Sequence, residues 1–530
     1  MNRVLLYGAL LLGTLATACG GYNNNYPGPG PNPGPGPQGN FSLASLNGTY
    51  AFSMSGTDGN GFSIARIGSF HADGQGNITM AIEDVNVAGS FSTFNFTPVP
   101  ASKYTMESDG KGELTLSHPN VNNPSVADDF IFSIVLDSSS SGLMIETDGS
   151  STMSGNFHLQ NISSTFAPSY AFDIAGLDLG NQVSASFIGQ FNTNGVGSVT
   201  GGVMDLNDGA SASGALTLQP GAITPDATNF SNFGRGTMTF STTLNSQVLS
   251  FSYIFYVVDG SHMIFVENDS VAAGVGSAVA QSNVPSNVSA FPGSFVFAVG
   301  GGAFNSNIFG PAAIAGRFTA DANGTVSNIG LDQNDGGATV FPKAGGFSNV
   351  AYTIDAAGRG RGTLTFTDTT STQKFQFIFY MASPTQGFIQ DNSLDVVADG
   401  SLTAQSGTFT AASLAGQYAI NWSGVNLVNG FEEDFAGVIP VASAASNNIT
   451  NGVLDYAVLG DGNIFLNVGV DGFLTLQGNG SLGGEQGNAM QLRTSQQTFN
   501  FRAYVINNNT ILLVGVDGGH VVIGTMVRQQ

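Results

Sequence analysis

A segment of two predicted β-strands joined by a glycine-rich turn recurs along this chain, and it constrains the fold more than any other feature. Residues 67–86 read IGSFHADGQGNITMAIEDVN, residues 188–207 read IGQFNTNGVGSVTGGVMDLN, and residues 314–334 read IAGRFTADANGTVSNIGLDQN. A shorter form, SNNITNGVLDYA, surrounds Asp455. The repetition predicts an array of one domain type rather than a single large fold.

The spacing of the copies sets the number of domains. They open at Tyr50, Tyr170, Phe295 and Tyr418, at intervals of 120, 125 and 123 residues. A unit of this size buries roughly two thirds of its unfolded surface, so each copy can hold its own core. We therefore predict four β domains, at 41–160, 161–281, 282–405 and 406–530.

Apolar and polar residues alternate with a period of two inside each copy. Tyr50, Phe52 and Met54 share one face of the first predicted strand, and the other copies repeat this pattern. Turns of hairpin length separate the strands, and no stretch has helical periodicity. The third predicted strand of the first copy ends at Val85 and the fourth begins at Lys103. We predict an all-β fold of four tandem antiparallel meanders, each an eight-stranded barrel, with β-sandwiches as the alternative.

One strand in every copy, here called the Phe-rich strand, is apolar on both faces. Its inward residues are Phe130/Phe132/Ile134, Phe251/Tyr253/Phe255, Phe375/Phe377/Phe379 and Phe499/Phe501/Ala503. A strand that is apolar on both faces is covered on both faces, so neighbouring copies are predicted to pack against it. The large inward side chains also predict barrels that are filled rather than hollow.

The N-terminal residues have the features of a secretory signal. Arg3 precedes an apolar stretch that ends at Leu15, and residues 16–18 are small, so we predict a signal peptide at 1–18. Cys19, the only cysteine, follows at once. The Pro- and Gly-rich segment after it makes residues 19–40 a predicted lipid anchor and tether. An ordinary signal peptide with a chance cysteine is the alternative.

Residues 15–19, Leu-Ala-Thr-Ala-Cys, resemble the lipobox of bacterial lipoproteins, although Ala16 stands where that family more often has Leu. The resemblance implies lipidation of Cys19 and an extracytoplasmic protein anchored to a bacterial membrane, expected at the outer membrane or cell surface. The meander and the opening 46–50, Leu-Asn-Gly-Thr-Tyr, resemble the lipocalin and avidin group of barrels. The whole chain resembles bacterial surface lipoproteins with tandem β-rich repeats of unassigned function.

Charge and motifs limit the chemistry. Thirteen basic residues stand against 36 acidic ones, and a net charge of −23 repels nucleic acid. The sequence has no H-E-x-x-H, G-x-S-x-G or P-loop motif, and one cysteine excludes paired-cysteine zinc sites. We expect no catalytic residues, no cofactor and no enzymatic activity, with a hydrolase as the alternative.

Polar residues recur at matching positions of the copies. Asp84, Asp205, Asp332 and Asp455 end the third strand, and Asn86, Asn207 and Asn334 follow three of them. Such oxygen donors can bind Ca²⁺, but no twelve-residue calcium loop follows. We therefore predict no metal site and a structural role in turns, and we keep these Asp-x-Asn residues as weak calcium candidates. Asp148, Asp269, Asp391 and Asp517 end the seventh strand, and Lys111, Arg235, Arg361 and Asn479 form a glycine-flanked set that is mostly basic.

Two functions of different class remain. The first is a non-enzymatic, membrane-tethered protein with a structural, adhesive or interaction role, its domains forming a stalk. The second is a module that binds a glycan or small apolar ligand at barrel mouths or in grooves between copies. The expected partners are the membrane, through the lipid on Cys19, and a glycan or surface protein. No nucleic acid is expected, and the oligomeric state is open.

Overall fold

The computed structural model describes most of the chain. The described ranges are 39–96, 102–119, 127–180, 183–209, 212–270, 272–305, 308–340, 346–393, 395–443, 447–459, 463–476 and 488–530. The predicted signal peptide, Cys19, most of the tether and Asn479 lie outside them. None of the helices within these ranges has the length and apolar character needed to cross a membrane.

The described residues form four antiparallel sheets in chain order, which confirms the predicted all-β fold. We call them units 1 to 4. Unit 1 contains β1 (Asn47–Asp58), β2 (Ser63–Asp73), β3 (Ile78–Val87), β4 (Ser90–Phe96), β5 (Lys103–Tyr104), β6 (Lys111–Pro119), β7 (Ala127–Ser138), β8 (Ser141–Glu146) and β9 (Ser151–Leu159). Unit 2 contains β10 (Ser169–Asp178), β11 (Val183–Thr193), β12 (Ser198–Asn207), β13 (Ala212–Pro225), β14 (Arg235–Leu244), β15 (Gln247–Asp259), β16 (His262–Glu267) and β17 (Ala272–Ala280).

The second half of the chain repeats this arrangement. Unit 3 contains β18 (Gly293–Asn305), β19 (Ile308–Ala320), β20 (Val326–Asp335), β21 (Ala338–Val340), β22 (Phe347–Ile354), β23 (Arg361–Asp368), β24 (Lys374–Ser383), β25 (Gln386–Asp391) and β26 (Val396–Ala404). Unit 4 contains β27 (Gly416–Asn426), β28 (Phe431–Val441), β29 (Asn448–Val458), β30 (Asn463–Thr475), β31 (Asn488–Arg493), β32 (Thr498–Val505), β33 (Thr510–Gly515) and β34 (His520–Arg528). The described helices are single turns, at Leu43–Ser45, Phe230–Phe233 and Val288–Ala290.

Units 2 and 4 are closed eight-stranded barrels, because every strand pairs with the next one and the first pairs with the last. Tyr170 lies opposite Ala280, and Tyr418 lies opposite Arg528. In units 1 and 3 the fourth strand is in two described pieces, β4 with β5 and β21 with β22, so these sheets have nine strands. The β5 piece returns to the start of β3 through a backbone bond from Ile78 N to Ser102 O of 3.1 Å.

Strand β4 occupies residues that follow the third predicted strand and were not assigned to any strand by the sequence. It pairs with β3 across a two-residue turn in which Ala88 has φ 46° and Gly89 has φ 85°. Positive φ at both central positions is the geometry that matches the twist of a hairpin. The usual sequence signal for that turn is Asn-Gly or Asp-Gly, and Ala-Gly does not carry it.

The interior of each unit is filled by its own cluster of buried side chains, as the sequence predicts. In unit 1 the ring of Tyr50 stacks on Phe70 at a centroid distance of 5.5 Å. In unit 4 the ring of Trp422 stacks on Phe435 at 4.3 Å. Aromatic pairs of this kind add packing energy beyond the area they bury. Because each cluster consists of residues from a single unit, each unit has its own core.

The four units pack head to tail into a closed ring. Apolar clusters join the outward face of strands 1 to 3 of one unit to the Phe-rich strand region of the next, at the 1–2, 2–3 and 3–4 junctions. A fourth cluster brings Val135, Leu143 and Ile145 of unit 1 against Ala436 and Val438 of unit 4. The predicted packing on the Phe-rich strand is confirmed. The prediction that the domains form a stalk is wrong, because unit 4 contacts unit 1.

Candidate functional site

The junctions of the ring bring together most of the recurrent polar residues. At the 1–2 junction the buried Asp84 of unit 1 accepts hydrogen bonds from Arg235 Nε at 2.7 Å and from Arg235 Nη2 at 2.8 Å. The hydroxyl of Tyr256 donates to the same carboxylate at 2.7 Å. Burial raises the pKa of Tyr256 well above its usual value, and Asp84 raises it further. This arrangement fixes both carboxylate oxygens of Asp84.

The 2–3 junction repeats this geometry. Asp205 accepts from Arg361 at 2.8 and 2.7 Å and from the hydroxyl of Tyr380 at 2.5 Å. Sequence reasoning found Asp205 and Arg361 but missed the role of Tyr380. A polar hydroxyl at regular spacing on an otherwise apolar strand face was the available signal.

The 3–4 junction uses a cation from a different strand. The hydroxyl of Tyr504 donates to Asp332 at 2.5 Å, and Arg502 Nε lies 3.8 Å from the same carboxylate. Arg502 is on the Phe-rich strand, two residues before Tyr504, whereas the sequence comparison aligned Asn479 with the basic positions.

The asparagines that follow these aspartates hold the next unit by its backbone. Their side-chain amides donate to carbonyl oxygens around the turn before the last strand: Asn86 to Glu267 and Ala272, Asn207 to Asp391, Ser393 and Val396, and Asn334 to Gly515, Asp517 and His520, at 2.8 to 3.1 Å. The side-chain oxygens of the three asparagines accept from Gly89, Gly209 and Gly337. The six weak calcium candidates therefore lie at the junctions, engaged with protein groups.

A recurrent glutamine, missed in the sequence, clamps every junction. Gln160, Gln281, Gln405 and Gln529 follow the last strand of each unit at intervals of 121, 124 and 124 residues. Their side-chain amides donate to carbonyls of the next unit, those of Phe233 and Val257, Arg359 and Met381, Val505, and Asp109 and Leu136, respectively. The residue after each glutamine adds a backbone bond, which for Gln530 runs to Asp137 O of unit 1 at 2.8 Å.

The 4–1 junction, which closes the ring, has its own ion pair. Lys111 Nζ of unit 1 lies 2.6 Å from Asp455 Oδ1 of unit 4, and both side chains are buried. The hydroxyl of Ser133 donates to the other carboxylate oxygen at 2.6 Å. Val135 stands where the other three junctions have the tyrosine partner, and Ala457 stands where the other units have asparagine. The closing contact is therefore chemically distinct.

Two further carboxylates, Glu432 and Asp434, lie on the unit 1 side of strand β28. Glu432 accepts a hydrogen bond from the hydroxyl of Thr57 in unit 1. Asp434 is fully buried, and neither of its oxygens has a partner at normal hydrogen-bond geometry. Burial raises the pKa of Asp434 to about 8, although the Ser423 hydroxyl near it lowers the value.

A cavity of about 610 Å³ lies where the four units meet. Ser55 of unit 1, Asp173 of unit 2, Asp399 of unit 3 and Ser423 of unit 4 are among the residues that line it. Burial raises the pKa of Asp173 to about 6, and it raises that of Asp399 well above its usual value, with a further rise from Asp173. The space where the units meet is therefore lined mainly by small and apolar residues, with two carboxylates among them.

Carboxylates also occur on the strands that surround the cores of the units. Glu146 lies opposite Phe132, Glu267 opposite Tyr253 and Asp391 opposite Phe377. By this register Asp391 matches Glu146 and Glu267 rather than Asp148, so the sequence alignment of that acidic set was wrong at Asp391. Glu146 and Glu83 share the buried Arg66, at 3.5 and 3.1 Å. Across the described ranges, no three or more His, Cys, Asp or Glu side chains are grouped so that they could hold a metal ion.

The fold and the junctions define an all-β protein of four antiparallel, barrel-type units. No family model matches the chain, and no curated protein matches it significantly. Among solved structures, a double mutant of Transferrin Binding Protein B from Haemophilus parasuis Hp5 is 12% identical over 74% of this chain and 83% of that chain, with a TM-score of 0.16. Intact Ap-TbpB, with N and C lobes, is 10% identical over 92% and 96%, with a TM-score of 0.19. CghA is 8% identical over 91% and 88%, with a TM-score of 0.15. At these scores the matches carry no argument about function, and the lipocalin and avidin resemblance stays a prediction.

Proposed function

We propose that the chain is an extracytoplasmic lipoprotein, anchored to a bacterial membrane through Cys19, whose ring of four units serves as a rigid body for interaction at the cell surface. The observation that carries the proposal is ring closure. Four buried junctions, each clamped by a glutamine, fix the units relative to one another. A rigid body at the end of a Pro- and Gly-rich tether presents its surface without the ordering entropy that a flexible array would lose on binding.

One part of the surface supports an interaction role. Phe62 and Val428 are exposed in equivalent hairpins of units 1 and 4, with Phe431 close by in sequence. These hairpins flank the 4–1 junction, where Thr57 reaches Glu432. Large apolar side chains exposed near one another mark interaction sites more often than scattered single ones do.

The anchor and the surface are tested separately. Wild-type protein should be found in the membrane fraction with a lipid mass on its N-terminal cysteine, and Cys19→Ser should release it as soluble protein. An unmodified Cys19, or a Cys19→Ser variant that stays in the membrane, contradicts the anchor.

For the surface, bacteria displaying the wild-type ring should adhere or aggregate more than bacteria displaying the Phe62→Ser/Val428→Asp variant. Val196→Asp is the matched control, because Val196 is also exposed but lies in a turn at the opposite end of unit 2. Equal adhesion of all three strains contradicts the interaction role of this surface.

A groove between units 2 and 3 favours glycan binding as the second candidate. Its volume is about 440 Å³, and polar groups line it, among them Gln190, Asn192, Asn283 and Arg359. Amide and guanidinium groups are hydrogen-bonding partners for sugar hydroxyls. A glycan array with the full ring, followed by titration of Asn283→Ala and Arg359→Ala, tests this function. Absence of glycan binding, or binding that both variants keep unchanged, contradicts it.

A further inference from the structure

The ring-closing junction has two carboxylates at strand positions where the other units have no acidic residue. Glu432 and Asp434 share the outward face of β28 with Ala436 and Val438, which pack on unit 1. The strand register places Ala65, Ser186 and Ala313 at the position of Asp434 in the other units. Ser63, Ser184 and Pro311 likewise stand at the position of Glu432. Both acidic residues are therefore particular to the junction that joins the two ends of the array.

These two carboxylates are not balanced by basic groups. Among the residues that the structure describes, no Lys, Arg or His forms an ion pair with Glu432 or Asp434. The nearest charged groups from the packed elements add negative charge, and they have partners of their own: Glu433 is bonded to His520 and Glu146 to Arg66. An ionised carboxylate buried without a partner is strongly disfavoured, and coordination of a metal is one of the few arrangements that stabilise it.

The other donors at this place are oxygen atoms as well. The Thr57 hydroxyl of unit 1 contacts Glu432, and the Ser423 hydroxyl lies beside Asp434 on the neighbouring strand. Ser423 also lines the central cavity, which is large enough to supply water. Carboxylate, hydroxyl and water oxygens are the ligands of hard cations, and Ca²⁺ accepts such sets with flexible geometry.

We propose that Glu432 and Asp434 bind a calcium-class divalent cation at the ring-closing junction, with Thr57 and Ser423 supplying further oxygen donors. Because Thr57 belongs to unit 1 and the other three residues to unit 4, the cation stabilises ring closure. This site is distinct from Asp84, Asp205 and Asp332, whose carboxylates are occupied by groups from the next unit.

Terbium luminescence on the full chain tests the proposal. Tb³⁺ occupies calcium sites, and Trp422, the only tryptophan, is its sensitiser because its ring stacks on Phe435, the neighbour of Asp434. After EDTA treatment, wild-type protein should show saturable Tb³⁺ luminescence that Ca²⁺ displaces more effectively than Mg²⁺. Ca²⁺ should also raise its melting temperature, since a ligand that binds only the folded state stabilises it.

Variants locate the site. Asp434→Asn and Glu432→Gln should each weaken Tb³⁺ and Ca²⁺ binding by at least about tenfold, which is the lower range of loss seen even for indirect contacts to a metal. Glu113→Gln, which removes an exposed acidic residue of unit 1, should bind like the wild type. Thr57→Val removes the oxygen donor that unit 1 supplies. This third variant keeps the test valid even if neither acidic variant folds. No Ca²⁺ effect on the wild type, or equal binding by all variants, would overturn the proposal.

Discussion

The buried pair of Lys111 and Asp455 gives the sharpest test of ring closure. Lys111→Met keeps the aliphatic chain and removes the charge, and Asp455→Leu replaces the carboxylate with an apolar group of the same branching. Only 4% of the Lys111 side chain and 6% of the Asp455 side chain are exposed. Each single substitution therefore leaves one charge buried without its partner, while the double substitution removes both.

The structure sets the expected magnitudes. At an N–O distance of 2.6 Å the attraction is about 6 kcal/mol for an effective dielectric of about 20. Desolvation of each ion costs several kcal/mol, so the pair is close to neutral overall. Breaking it from one side should destabilise the protein by about 3–5 kcal/mol. The double variant should lose only about 1–3 kcal/mol, because Ser133 and the amide of Asn467 lose an acceptor.

Urea denaturation followed by the fluorescence of Trp422 reports on unit 4 directly. Small-angle scattering of the same samples shows whether a single variant opens the ring before unit 4 unfolds, as a larger radius of gyration at low urea. Lys103→Met, which removes an exposed lysine of the same unit, should change stability by less than about 0.5 kcal/mol. If the two single losses simply add in the double variant, Lys111 and Asp455 are not coupled and the reasoning fails.

Three further expectations follow from the same contacts. Gln529→Ala removes two hydrogen bonds of 2.7 Å to unit 1 and should cost about 1–3 kcal/mol in urea denaturation, whereas Gln530→Ala should be neutral because its contact is through the backbone. Burial raises the pKa of Glu267 to about 8, so the folded state holds this proton more tightly than the unfolded chain and stability falls as pH rises. Between pH 5 and 7 the free energy of unfolding should therefore fall by about 2–3 kcal/mol more in the wild type than in Glu267→Gln. Equal pH profiles of the two proteins would contradict this. Asp205→Asn should destabilise by about 3–5 kcal/mol, with no rescue by added Ca²⁺, because the substitution leaves Arg361 without its ion partner.

The parts of the fold that depend on local pattern could be predicted from the sequence. Alternation at Tyr50, Phe52 and Met54 indicates a strand with one buried face, and this face does point into the core. The outward apolar residues of the Phe-rich strand indicated a second buried surface, which the junction clusters supply. Both inferences use only the fact that a strand alternates its side chains between two faces.

Other features were readable in the sequence but carried weak signals. The four glutamines recur as regularly as the aspartates, yet a single polar residue after a strand is common in loops and indicates nothing by itself. The sequence places both Asp391 and Asp148 at the end of the seventh predicted strand, and only the pairing opposite Phe377 shows the two-residue difference. A register shift of this size leaves the side-chain face unchanged, so alternation cannot detect it.

Closure of the ring could not be predicted, because it depends on the rotation between neighbouring units. Head-to-tail contacts between similar units give an open filament or a closed ring according to that rotation, and no local pattern encodes it. Two residues that follow β34 nevertheless make contacts that exist only in a closed ring. Gln529 and Gln530 repeat toward unit 1 the contacts that Gln160 and the residue after it make toward unit 2. In an extended array these last contacts would have no partner, whereas in a ring they complete the fourth junction. The acidic residues particular to that junction, Glu432 and Asp434, therefore lie where the array meets its own beginning.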